Sequence, residues 1–61
     1  MIKEGQKVRV VGNVSWHKFE IGEVIIVKRI EFVKDGVVTS FVGDNGQDTW
    51  WLSEKEVEPV E

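Results

Sequence analysis

Apolar and polar residues alternate at Lys7-Val8-Arg9-Val10, which predicts a first strand with Val8 and Val10 on one face. The period is lost over residues 12–22, which read as a long loop. From Glu23 to Val33 the chain is rich in Val and Ile and predicts a long second strand. Its even positions, Val24, Ile26, Ile30 and Phe32, are apolar except for Lys28, and its first half is apolar on both faces, as expected of a strand covered on both sides. The interruption at Lys28-Arg29 predicts a bend made by a β-bulge. Asp35-Gly36 turns the chain into a third strand over Val37–Val42.

Asn45-Gly46 then predicts a hairpin of type I′, because both central residues of that turn need positive φ. Asp48–Leu52 is the fourth strand. Ser53 followed three residues later by Glu56 fits a capping box, and Val57 and Pro59 come too soon for a helix, so one 3₁₀ turn is expected. Val57–Val60 closes as a short fifth strand, with Pro59 confined to a sheet edge or end. Strand, long loop, long bent strand, two hairpins, 3₁₀ turn and short strand is the order of a five-stranded, all-β, SH3-like barrel in a single domain, residues 1–61.

Composition adds constraints. The 61 residues contain no cysteine and one histidine, so neither disulfides nor a structural zinc site is expected. Such a short chain must rely on packing, and three Trp with three Phe supply rings that each bury about 150–250 Å². No membrane span, signal peptide or cofactor is expected, and a cytoplasmic monomer is the default reading. The net charge of −3 is uneven: residues 1–34 carry seven bases and four acids, and residues 35–61 carry one base and seven acids. A nucleic-acid binder is usually basic overall, so the balance points away from that role while leaving a local basic face in play.

At this point the segments EGQKVRVVGN, HKFEIGEVIIV and WWLSEKEVEPV resemble the small SH3-like proteins of phages and prophages, those of the YorP type in particular. The resemblance spans nearly the whole chain. Similar layouts occur in KOW-type modules and in the peripheral SH3-like subunit of photosystem I. It implies the barrel fold and a phage accessory role inside the host cytoplasm, and it carries no assigned biochemical activity. Peptide-binding SH3 domains differ, because their tyrosine-lined groove has no counterpart in a chain without Tyr.

Enzyme chemistry is not expected. Ser15, Ser40 and Ser53 have no evident base, phosphate-binding glycine motifs are absent from the sequence, and Asp44 with Asp48 reads as a charged turn. Trp16-His17-Lys18-Phe19 is the most unusual run. As a contact surface, Trp16, His17 and Lys18 would offer rings beside positive charge to a protein partner. On the alternative reading, Phe19 and Ile21 pin the loop over the barrel and His17 satisfies loop backbone groups. Trp50 and Trp51 must leave the strand on opposite faces, Trp50 with Leu52 toward the core and Trp51 outward. Trp16 and Trp51 could also form part of a cage for a methylated lysine. Lys7, Arg9, Lys28 and Arg29 form the alternative, nucleic-acid-binding face.

Overall fold

The computed structural model describes residues 2–60 and is a single antiparallel sheet curled on itself. The strands are β1 (Lys7–Val10), β2 (Val24–Lys34), β3 (Val37–Asp44), β4 (Thr49–Ser53) and β5 (Val57–Pro59), with a 3₁₀ turn at Glu54–Glu56. Their order in the sheet is β4-β3-β2-β1-β5. This is the expected layout of a small SH3-like barrel. The curl is incomplete as a ladder: β4 and β5 are its two ends, and the 3₁₀ turn carries the chain between them. Pro59 lies on β5 opposite Val8, at a sheet edge, where its missing N–H interrupts nothing.

The core comprises Val8 and Val10 from β1, Phe19 from the long loop, Ile25 and Val27 from β2, Val38 and Phe41 from β3, and Leu52 from β4. Ile2, Ile30, Trp50 and Val57 pack against it as partly buried neighbours. Alternation in β1 therefore gives the buried face as expected.

In β2 the outcome differs. Ile25 and Val27 point inward, while Val24, Ile26 and Phe32 are exposed. The apolar residues of the first half thus have cover on one side only. The parity changes at a bulge: Val27 pairs with Gly43 and Arg29 with Val42, leaving Lys28 as the extra residue. Odd positions face the core before it, and Ile30 does so after it, opposite Phe41. Two further register shifts lie nearer the hairpin end, between Ile30 and Phe32 and between Phe32 and Val33, and there Phe32 stands 67% exposed.

The turns also exchange roles. Asp35 (φ 53°) and Gly36 (φ 78°) both lie in the left-handed region between the paired residues Lys34 and Val37, the two-residue geometry of a type I′ hairpin. At Asn45-Gly46 only the glycine has positive φ, and the connection is a four-residue loop between Asp44 and Thr49. The Asn45 carboxamide explains why. Its Oδ1 accepts from the N–H groups of Gln47 (2.9 Å) and Asp48 (2.8 Å), so the side chain stabilises a wider turn.

Gly43 is a closely packed point of the barrel. It lies between Val27 and Trp50 in the sheet, and a Cβ there would stand 2.6 Å from Ile25 Cδ1 and 2.9 Å from Leu52 Cδ1. Gly43→Ala is expected to destabilise the fold by about 1–3 kcal/mol through overpacking. Urea unfolding of the variant beside the wild type tests this, and an unchanged midpoint would show that the core yields at no cost.

Candidate functional site: an aromatic loop and its buried anchor

The connection from β1 to β2 leaves the sheet at Val10 and returns at Val24, and its base is closed by backbone bonds. Val10 N–H donates to Glu23 C=O (2.8 Å), and Gly22 N–H donates to Val10 C=O (2.7 Å). Its tip is held from beneath by Glu56, the last residue of the 3₁₀ turn, whose side chain is fully buried. One carboxylate oxygen accepts from Val14 N–H (2.6 Å) and Ser15 N–H (2.8 Å), the other from Ser15 Oγ (2.7 Å) and Ser53 N–H (2.6 Å). The Ser53 bond completes the expected capping box. The three others reach more than forty residues back along the chain.

Burial pushes the Glu56 carboxyl toward protonation. The donors from Ser15, Ser53 and Val14 outweigh it, and the pKa lies below the ordinary 4.5. The carboxylate therefore stays ionised inside the protein because its oxygens are saturated with donors.

His17 completes the anchor. Its Nδ1 accepts from Phe19 N–H (3.2 Å), which assigns the proton to Nε2, and Nε2 donates to Gly12 C=O (2.6 Å). Glu56 Oε2 lies 3.6 Å from the same nitrogen. Of the proposed binding residues, His17 alone is thus turned inward, with both ring nitrogens used by the loop backbone. Phe19 is buried beside it, ring centroids 5.8 Å apart, and pins the loop as expected. Ile21 does not share that task, being 61% exposed at the Gly22 turn.

Between Asn13 and His17 the loop is clamped twice. The Asn13 side chain accepts from His17 N–H (2.9 Å) and donates to His17 C=O (3.2 Å). Trp16 stands inside this clamp with φ 58°, a left-handed conformation unfavourable for a bulky residue, and it is 88% exposed. Backbone groups of Val14 and Ser15 point in to Glu56 while the side chains of Val14 and Trp16 point out to solvent.

The second aromatic element lies on β4. Trp51 is 56% exposed and Trp50 is half-buried, as the alternation predicts. Their rings nevertheless approach to 5.9 Å at 67°, so both indoles lean toward each other from opposite faces of the strand. Lys18 Nζ lies 5.1 Å from the centroid of Trp50 and links the long loop to this pair. Arg29, Val42 and Trp51 form a cross-strand row on the outer face, and with Thr49 and Trp50 they line a cleft of about 110 Å³. Trp16 makes no ring contact with Trp51 among the described residues, so a cage built from those two is not formed.

Of the alternative basic face, Lys7 and Arg9 lie on β1 beside Ile26 and Val24, Lys28 is the bulge residue and Arg29 follows it. Arg9 pairs with Glu58 (3.7 Å), and Arg29 with Glu31 (2.6 Å). Acids thus offset half of this set. No helix among the described residues is long and apolar enough to cross a membrane. Comparison with protein-family models, curated proteins and solved structures found no match.

Glu56→Gln places an amide N–H₂ against groups that already donate, and the expected loss is about 2–4 kcal/mol. The pH dependence follows from the lowered folded pKa. The carboxylate's contribution is complete above its unfolded value of 4.5 and is lost as pH falls through the lower folded value. Unfolding free energies measured from pH 7 down to pH 2 should decline less steeply in Glu56→Gln than in the wild type. Parallel curves would show that the buried carboxylate is not the titrating group.

Proposed function

We propose that this chain is a non-enzymatic binding module that docks onto another protein through the aromatic surface of the Trp16 loop and Trp51, with Lys18 beside it. The observation that carries this reading is Trp16. A large ring held out in solvent on a left-handed backbone adds nothing to the core, yet a buried carboxylate, a buried histidine and an asparagine clamp fix the loop that presents it. Interface hot spots are enriched in Trp, and a loop whose backbone is already fixed loses little freedom on binding.

The sequence resemblance supports a phage or prophage accessory protein acting in the host cytoplasm, with a host or phage protein as partner. Nucleic-acid binding through Lys7, Arg9, Lys28 and Arg29 is less well supported, because the two arginines already have acidic partners.

Trp16→Gly separates structure from function, since glycine tolerates the left-handed backbone. Its unfolding midpoint is expected to be no lower than that of the wild type, while proteins captured from lysate by the wild type are lost. Trp51→Ala should lose the same proteins. Retention of every captured protein by both variants would exclude this surface. Fluorescence anisotropy with single- and double-stranded oligonucleotides is expected to show no binding at low salt, and binding with a steep salt dependence would favour the basic face instead.

A further inference from the structure

The Trp50–Trp51 corner already holds a cation belonging to the chain itself. Lys18 Nζ sits 5.1 Å from the Trp50 centroid, and the two indoles meet at 67° with centroids 5.9 Å apart. An indole face that already accommodates one ammonium, with a second indole packed edgewise beside it, is a wall on which another ammonium group can sit. Acidic residues are concentrated at the adjoining β3–β4 turn, where Glu23 accepts from Asn45 Nδ2 (2.8 Å) and Asp48 is two residues along the chain from Trp50. Arg29, the other cation at the cleft, donates from both Nε (3.1 Å) and a terminal nitrogen (2.6 Å) to Glu31, so its charge is largely matched. Lys18 makes no ion pair with any of the described residues. Its ammonium is held at the ring without an acidic partner and is the group that an incoming cation can replace.

We propose that the Trp50–Trp51 corner is a recognition site for a lysine ammonium group presented by the partner protein, with Lys18 as the resident competitor. The inference rests on the reading of the chain as a docking module and names the chemistry of its partner. It also places the aromatic receptor on adjacent residues of β4 and not on Trp16 with Trp51, the pair that the sequence offered as one further possibility. Trp51 beside it is exposed to an incoming group, and the long stem of Lys18 allows that side chain to leave Trp50 without disturbing the anchored loop.

The test uses the full chain, ¹⁵N-labelled, and its three Trp indole N–H signals. Probes are three acetylated, amidated pentapeptides, Gly-Gly-X-Gly-Gly, with X as lysine, trimethyllysine or norleucine. The lysine and trimethyllysine peptides are expected to shift the Trp50 and Trp51 signals and leave Trp16 in place, while the norleucine peptide shifts none. In Lys18→Ala the lysine peptide is expected to bind about two- to fivefold more tightly, the worth of one exposed cation–π contact. Equal shifts with norleucine, no Trp50 or Trp51 shift up to saturating peptide, or weaker binding in Lys18→Ala would each overturn the proposal. A single-stranded oligothymidine that shifts the same two signals would also overturn it, by showing that the corner selects anions. Should these results fail while Trp16→Gly still abolishes partner capture, the docking function stands and only the lysine specificity falls.

Discussion

The structure depends on one buried carboxylate. Glu56 ties the 3₁₀ turn before the last strand to the tip of the loop after the first, two segments far apart in sequence with no strand pairing between them. A small chain without cysteine has few ways to fasten such a loop. Burying an ionised group is costly unless its acceptor capacity is met. Here four donors from Val14, Ser15 and Ser53 surround the two oxygens, and the buried side-chain polar atoms among the described residues are all hydrogen-bonded. Partial satisfaction would be worse than an apolar substitute, so the arrangement favours one geometry of loop and turn together.

That geometry divides the loop into an inner and an outer side. Backbone groups, His17 and Phe19 face inward and hold; Val14 and Trp16 face outward and are held. A left-handed Trp16 costs of order 1 kcal/mol or more, which the surrounding hydrogen bonds absorb. Fixing the backbone beneath an exposed indole in this way is of no use to folding and of direct use to recognition, because a partner then meets the ring at a set position.

A second constraint, the single extra residue at Lys28, governs the rest of the surface. By changing the parity of β2 it lets one strand serve both halves of the curled sheet, with Ile25 and Val27 in one part of the core and Ile30 in another. It also sets Arg29 outward in register with Val42 and Trp51, so that valine is shielded from solvent although it lies outside the main core. The outer face thereby gains a cleft whose walls are an indole and a guanidinium, next to the corner where Lys18 lies against Trp50. Aromatic residues thus serve two ends: Phe19 and Phe41 hold the barrel together, while Trp16 and Trp51 remain available and Trp50 stands between the two groups.

The strands, their order, the bulge, the capping box and the edge position of Pro59 were legible in the sequence, because each depends on neighbours within a few residues: side-chain alternation, turn propensity and cap spacing. The outward face of Trp51 and the inward face of Leu52 follow from the same alternation. What required the tertiary structure was everything set by distant partners. Ser53 and Glu56 mark a cap, but nothing local shows that the glutamate's remaining acceptor capacity meets Val14 and Ser15. A lone histidine gives no sign of which backbone groups will occupy its two nitrogens. The buried parity of β2 could be read only once the pairing of Val27 with Gly43 and of Arg29 with Val42 was known, since both faces of its first half are apolar. Local patterns fix where a chain extends and turns; which groups lose their water, and against what, is decided when segments remote in sequence meet.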